Sequence, residues 1–367
     1  MVGTRIGGGG GGVMNDGIPP LHARAERTLR HIEERFALGG GDYRDRGDVR
    51  SGPAFAWAHG VLFSAFVAAA AHVDRARYAA RARQHFAALR RGYWHRHGPV
   101  PGFNASRGTS GTPDRYYDDN AWLVLGLLDA YRLFGEPEYE RAARDAMRFV
   151  LSGYDTSAGG GLFWHEQARH GKHAASTAPA AVAALALGMP VWTRRLYSWL
   201  RSTLRDPADG LYLDNVDVRT GRVETTKWSY NSALVLRCEL DLAAYYDARV
   251  YRDRAVALAD ACVRRWFDPA AGILRDDAAF AHLLAEALLQ TAAATGIRRY
   301  REVVTVSLDT LWTRVRRPDG TYPKHWDPRP PERDGSGPPG ELLWVASAAR
   351  AYAIAAPHRE GTPPRPR

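Results

Sequence analysis

The chain has 367 residues, enough for one large domain or two ordinary ones, and its 45% hydrophobic and 25% charged residues are typical of a globular protein without a membrane-spanning apolar run. The formal charge of +10 does not by itself indicate nucleic-acid binding, because the chain has 40 acidic residues as well as 50 basic ones and contains no aromatic-basic recognition motif. Two cysteines, Cys238 and Cys262, exclude a disulfide framework and a cysteine-based zinc cluster.

The N-terminal segment, residues 1–19, is rich in glycine and lacks the apolar middle region of a secretory signal. We therefore expect a flexible leader and a cytoplasmic protein, with secretion only if the start codon is misplaced. Residues 20–357 are predicted to form a single domain, and residues 358–367 a disordered tail.

The rest of the chain is predicted to form about twelve helices of two alternating kinds. Residues 117–134 are apolar on nearly all sides, as in a buried helix, whereas residues 138–151 carry one apolar stripe and one charged face. The buried kind also covers 55–71, 173–187, 228–245, 277–291 and 342–356, and the amphipathic kind covers 21–38, 75–91, 191–204, 251–266 and 297–315.

The loops alternate in length. Short turns at 135, 188 and 295 follow buried helices, whereas the loops that precede buried helices are long and rich in glycine, aromatic and polar residues. Six inner and six outer helices, with all long loops at one end, predict an all-α fold, the (α/α)6 toroid. An open solenoid would show the same local pattern, but the chain lacks polar capping repeats, which favours a closed ring.

In such a toroid the N-termini of the inner helices converge on one rim. A rim of aromatic, carboxylate and amide side chains suits a carbohydrate, because sugar rings stack on aromatic faces and hydroxyls need polar partners. Singly, each aromatic could be packing and each carboxylate a helix cap. Their convergence favours a sugar-binding cleft. Its predicted lining is Trp57, His59, Tyr116, Tyr117, Trp164, Lys172, His173, Trp228, Tyr230, Asn231, Asp276, Asp277, Trp326 and Trp344, with Glu341 and His325 nearby.

Two adjacent carboxylates, Asp118 and Asp119, open the helix over 117–134. Most glycoside hydrolases use two carboxylates, about 5 Å apart in retaining enzymes and further apart in inverting ones. Consecutive helical residues project about 100° apart, so the pair could flank a substrate at the retaining distance. An aspartate beside an ionised aspartate has a raised pKa and can hold a proton. The helix dipole favours ionisation, and we expect it to aid the nucleophile most.

The stretch "YYDDNAW" at 116–122 resembles the catalytic Asp-Asp motif of glycoside hydrolase family 76, the α-1,6-mannanases. "GGGLFWHEQARHGKHAAS" and "DPADGLYLDNV…TTKWSYNSALVL" are similar to two further segments of that family, and weak similarity runs from about residue 54 to 356. The resemblance implies an (α/α)6 fold and retaining chemistry without metal or cofactor. It also implies Asp118 as nucleophile, Asp119 as general acid/base, Tyr230 and Asn231 in the sugar site, and Trp164 and Trp228 as stacking walls.

The chain departs from the family pattern at three places: Leu123, the stretch from Lys172 to Ser176, and Ser232-Ala233. These leave the catalytic pair intact and bear on the specificity for α-1,6-mannan.

The sequence is also compatible with three alternatives to a hydrolase. They are a transglycosylase on the same site, a sugar epimerase using His59, His173, His282 and His325, and a non-catalytic sugar-binding protein. We expect an oligo- or polysaccharide partner, no nucleic-acid or membrane partner, and a monomer.

Overall fold

The computed structural model describes residues 17–48, 50–96, 98–108, 111–329 and 340–358. Most of the predicted leader and nearly all of the predicted tail lie outside these residues. All twelve predicted helices are present in the described chain, and the bounds of α4 agree with the prediction at both ends. The helices are α1 Leu21–Arg35, α2 Ala56–His72, α3 Arg75–Tyr93, α4 Tyr117–Phe134, α5 Pro137–Ser152, α6 Ala174–Ala186, α7 Pro190–Trp199, α8 Ser229–Tyr246, α9 Arg249–Trp266, α10 Ala278–Thr295, α11 Arg298–Thr310 and α12 Leu342–Ala355.

The even-numbered helices form a closed inner ring. Each contacts the next, and α12 returns to contact α2. The odd-numbered helices lie outside: α3, α5, α7, α9 and α11 each pack on the inner helix before them, whereas α1 packs on α12. Arg24 of α1 also reaches α11, where it donates to the Leu308 carbonyl at 3.0 Å and to Asp309 at 2.6 Å. The first helix therefore covers the last, and the fold is the predicted (α/α)6 toroid rather than an open solenoid.

Small residues let the inner helices approach one another closely. In α6 every residue from Ala174 to Ala184 is buried, and most of them are alanine. The inner helices α4 and α10 end in tight turns that need a left-handed residue, supplied by Gly135 (φ 73°) and Gly296 (φ 74°). Two outer helices continue into π-helical turns, Leu200–Leu204 after α7 and Leu311–Val315 after α11.

The long loops contain short antiparallel strands that the sequence did not predict. Two or three residues are too few to show a strand periodicity. The strands hold the long loops together in pairs. They thereby support the surface at which the inner helices begin. They are β1 Ala37–Gly39 with β2 Asp42–Tyr43, β3 Trp94–His95 with β4 Gly102–Phe103, β5 Gly171–His173 with β6 Asn215–Asp217, β6 with β7 Val223–Glu224, and β8 Phe267–Asp268 with β9 Ile273–Leu274.

In the part of the chain that the structure describes, none of the helices has the length and apolar character required to cross a bilayer. Cys238 and Cys262 are buried and free.

Candidate active site

The two adjacent aspartates lie in the first turn of α4. The helix begins after Tyr116, whose side chain makes no capping hydrogen bond. Asn120 fixes the local geometry: its Nδ2 donates to the carbonyls of Phe103 at 3.0 Å and Tyr116 at 2.8 Å, and its Oδ1 accepts from the Phe103 amide at 2.8 Å. Asn120 therefore ties the helix start to strand β4, and it holds Asp118 and Asp119 in one place.

Asp118 is a half-buried carboxylate with one side-chain donor among the described residues. Burial raises its pKa to about 6, and the negative charge of Asp214 acts in the same direction. The Nε1–H of Trp164 donates to Oδ2 at 2.8 Å and, with backbone N–H groups of the helix start, partly offsets this rise. With a pKa of about 6, Asp118 is mostly ionised at neutral pH although its surroundings raise that pKa.

Asp119 has no such donor among the described residues. Burial raises its pKa well above the ordinary value, and the like charges of Asp118 and Asp114 raise it further. Of the two neighbours, Asp118 is therefore the carboxyl group that ionises more readily. This is the arrangement that a nucleophile and a general acid require.

One wall of the cleft is built around Trp164, which is 42% exposed. The ring of Tyr116 meets it edge-on with centroids 4.9 Å apart, and the imidazole of His173 lies 5.5 Å from it on another side. The partly exposed indole is thus held in place beside Asp118. All three residues were predicted to line the cleft.

A second aromatic cluster centres on Phe280 of α10, which the sequence analysis did not identify. Trp57, Trp228 and Tyr230, all predicted, lie 5.8, 5.4 and 4.3 Å from its ring. Trp122 of α4 lies 6.4 Å from Tyr230 and links the cluster to the helix that carries Asp118 and Asp119. Phe280 follows the predicted Asp277 by three residues in an apolar helix, so its sequence context suggests only core packing.

Asp214 is the second site residue that the sequence analysis missed. Its Oδ1 accepts a hydrogen bond from Asn231 Nδ2 at 3.3 Å, and its Oδ2 lies 3.8 Å from His173 Nδ1. Its charge also contributes to the raised pKa of both Asp118 and Tyr230. Asp214 could have been identified from the sequence, because it belongs to the "GLYLDN" stretch that carries part of the family resemblance.

Four residues predicted to line the cleft point into the protein instead. Tyr117 stacks on Phe149, with ring centroids 4.9 Å apart, and is fully buried. Lys172 is also fully buried and forms an ion pair with Asp155 at 2.5 Å. The other two are His59, which is buried with its Nε2 3.3 Å from Oδ1 of Asp42, and Trp326, which belongs to the main core.

The predicted Asp276, Asp277 and Trp344 also have structural contacts. Asp277 caps α10 by accepting from the Ala279 amide at 2.9 Å. Asp276 accepts from the amides of Ser229 at 2.9 Å and Asp277 at 2.8 Å, which joins α8 to α10. Trp344 is buried in the core. In contrast to the pair on α4, this second pair of aspartates therefore uses its oxygens to hold backbone amides.

The histidines do not form the acid-base arrangement that an epimerase would need. His59 and His282 are buried, and burial lowers the pKa of each well below its ordinary value. His282 Nδ1 lies 3.2 Å from Arg350, and His325 is exposed. Only His173 of the four borders the wall beside Asp118.

The family model described as "Glycosyl hydrolase family 76" matches residues 39–326. The chain belongs to glycosyl hydrolase family 76. Comparison with curated proteins gives no match.

Solved structures of family 76 proteins have the same fold. A family 76 α-mannanase of Bacteroides thetaiotaomicron is 24% identical, with a TM-score of 0.86 over 93% of this chain and 96% of that one. A family 76 mannosidase from the same organism is 24% identical, with a TM-score of 0.83 over 93% and 99%. An inactive variant of the α-1,6-mannanase of Salegentibacter, with two consecutive aspartates replaced by asparagine and α-1,6-mannotriose bound, is 19% identical, with a TM-score of 0.78 over 92% and 99%.

The first two residues of the stretch from Lys172 to Ser176, which departs from the family 76 pattern, have different surroundings. Lys172 remains a buried structural lysine whose Nζ also donates to the Asp155 carbonyl at 2.8 Å. His173 packs its ring beside Trp164. Burial lowers the pKa of His173, so the imidazole is neutral near pH 7. His173 therefore belongs to the wall at Trp164, whereas Lys172 does not.

Proposed function

We propose that this protein is a retaining glycoside hydrolase that cleaves α-mannosidic linkages of the α-1,6-mannan type, with Asp118 as nucleophile and Asp119 as general acid/base. The observation that carries the proposal is the unequal environment of the two carboxylates. Asp118 accepts a hydrogen bond from Trp164, whereas Asp119 has only burial and like charges around it. This inequality favours one ionised and one protonated carboxyl group at the same helix start.

The substrate class is supported by the nature of the relatives. The Salegentibacter enzyme with the same fold is an α-1,6-mannanase, and its inactive variant, altered at two consecutive aspartates, binds α-1,6-mannotriose. In the present chain, the consecutive aspartates on α4 lie between the wall at Trp164 and the cluster at Phe280. Aromatic surfaces on two sides of a carboxylate pair suit a chain of sugar rings.

The proposed reaction has two steps. Asp118 attacks the anomeric carbon while Asp119 donates its proton to the departing glycosidic oxygen, which leaves a covalent glycosyl-enzyme. Asp119, now ionised, takes a proton from water, and the resulting hydroxide displaces Asp118 with a second inversion. If a sugar hydroxyl entered in place of water, the same intermediate would yield a longer saccharide, so product analysis separates hydrolysis from transglycosylation.

The test is product analysis with α-1,6-mannobiose and longer α-1,6-mannans, with the first-formed anomer assigned by NMR. We expect shorter saccharides with retained α configuration. Asp118→Asn should reduce turnover of every mannoside by several orders of magnitude. Asp119→Asn should do so with mannans but much less in the first step with an activated aryl mannoside, whose leaving group needs no proton. Unchanged mannan turnover in either folded variant would refute the proposal, as would interconversion of free monosaccharides.

A further inference from the structure

A pocket of about 390 Å³ opens on the outer wall of the toroid, between helices α7 and α9. It is formed by the outer ring and shares no residue with the cleft at the start of α4. Its volume lies in the range of ordinary ligand clefts. The lining consists of three arginines, two tyrosines and two serines: Arg194, Arg201, Arg254, Tyr197, Tyr251, Ser198 and Ser202.

The pocket carries an excess of positive charge. Within the described chain no acidic side chain lines it. The nearby carboxylate is that of Glu239, which lies behind Tyr197, accepts its hydroxyl hydrogen bond at 2.8 Å and lies 3.9 Å from Arg201. Burial raises the pKa of Glu239 to about 7. One partly ionised carboxylate cannot balance three guanidinium groups.

The arginines of this pocket differ from those on the neighbouring outer helix. On α5, Arg144 pairs with Glu140 at 2.7 Å and Arg148 pairs with Asp145. Arg194 has no ion pair or hydrogen bond with any residue that the structure describes. Arg254 lies over the ring of Tyr251 at 5.6 Å and also interacts with the Tyr197 hydroxyl, and no carboxylate of the described residues pairs with it. The guanidinium group of Arg194 is therefore fully available to an anion, and Arg201 and Arg254 can offer the N–H groups that Glu239 and Tyr197 do not use.

We propose that this pocket binds a phosphate group, carried either by a small phosphate ester or by a phospholipid headgroup. A phosphate presents several acceptor oxygens, and guanidinium groups match them with paired N–H bonds, while Ser198 and Ser202 offer further donors. A neutral sugar would leave the charges unmatched. The ring of Tyr246 lies 6.4 Å from Tyr251, and Tyr245 beside it is exposed, so a headgroup would meet aromatic surface at the pocket's edge.

The test compares two charge-matched double variants. Arg194→Gln with Arg254→Gln removes two of the pocket's guanidinium groups, and Arg27→Gln with Arg141→Gln removes the same charge from exposed positions on α1 and α5. Calorimetric titration with inorganic phosphate and with glycerol phosphate measures binding of the free group. Flotation with vesicles of phosphatidylcholine, with and without phosphatidic acid, measures binding of the lipid. Thermal unfolding confirms that all variants are folded.

Saturable binding that weakens by about tenfold or more in the pocket variant, and stays unchanged in the control, supports the proposal. Binding of the free esters identifies a small-molecule site, and binding only to phosphatidic acid vesicles identifies a headgroup site. Equal weakening in both double variants would indicate diffuse attraction to the net charge and would overturn the proposal. Absence of binding to both kinds of ligand would overturn it as well. Mannoside hydrolysis, measured in parallel, should not differ between the variants, so this result is independent of the proposed function.

Discussion

Replacing Trp164 with phenylalanine keeps an aromatic wall beside the candidate nucleophile and removes one hydrogen bond. The lost donor is the Nε1–H group that lies 2.8 Å from Oδ2 of Asp118. This bond stabilises the ionised carboxylate, so its loss must raise the pKa of Asp118 above the present value of about 6. The indole is 42% exposed, so the substitution leaves the core intact.

The size of the change follows from the strength of such bonds. A hydrogen bond to a charged group contributes about 1.5–3 kcal/mol, and one pKa unit corresponds to about 1.4 kcal/mol. Because the indole is partly exposed and solvent screens the interaction, we take the lower end, about one pKa unit. If Asp118 must be ionised to attack, the acidic limb of the kcat/KM profile should move from near pH 6 to near pH 7. The variant should therefore lose more activity at pH 5.5 than at pH 8.

The measurement is kcat/KM for an α-mannoside between pH 4 and pH 9. Trp228→Phe is the matched control, because Trp228 packs against Phe280 and makes no hydrogen bond to Asp118. It should lower kcat/KM equally across the profile and leave the limb in place. A Trp164→Phe profile that falls uniformly, with its acidic limb unmoved, would show that Trp164 is only a stacking surface.

Three further predictions concern other parts of the molecule. Asp214→Asn removes a charge that raises the pKa of Asp118, so the acidic limb should move to lower pH, opposite to the Trp164 variant. Glu286→Gln leaves two buried arginines without their shared carboxylate, and chemical denaturation should show a loss of about 3–5 kcal/mol in the free energy of unfolding. Gly161 has φ 76°, and Gly161→Ala would place a Cβ 2.6 Å from a buried indole, so it should lower the free energy of unfolding by about 2–4 kcal/mol. Gly135 has a similar φ of 73° but open space around it, so Gly135→Ala should lower the free energy of unfolding by about 1 kcal/mol in the same assay.

The toroid could be predicted because helices that are apolar on nearly all sides alternate along the sequence with helices that have one apolar face. Residues 117–134 are apolar on nearly all sides and are followed by a glycine, which predicts both the burial of α4 and its last residue. The β strands could not be predicted, because a pair such as Trp94–His95 with Gly102–Phe103 depends on contacts between loops. The π-helical turn at Leu200–Leu204 was likewise included in an ordinary helix. Periodicity indicates which face is buried, and it is insensitive to one extra residue in the last turn.

The candidate site could be predicted only in part, because the sequence shows which residues begin a helix and not where each side chain points. Successive helical residues rotate by about 100°, so neighbours at one helix start face different surroundings. Trp57 therefore reaches the aromatic cluster, whereas His59, two residues later, is buried against Asp42. Tyr117 is buried although Tyr116 and Asp118 on either side of it border the wall at Trp164.

The roles proposed for Asp118 and Asp119 require a physical effect that acts differently on two neighbouring carboxyl groups. The helix dipole contributes about 0.3–1 kcal/mol, or about 2 kcal/mol in favourable buried positions, and it favours ionisation of both carboxyl groups. Burial can shift a pKa by about 3–5 units and favours protonation of both. Because the pKa of each is raised, burial outweighs the dipole at this helix start. Neither effect distinguishes two adjacent residues, so the distinction must come from a directional contact. The hydrogen bond from Trp164 supplies it, and once Asp118 is ionised its charge raises the pKa of Asp119 further.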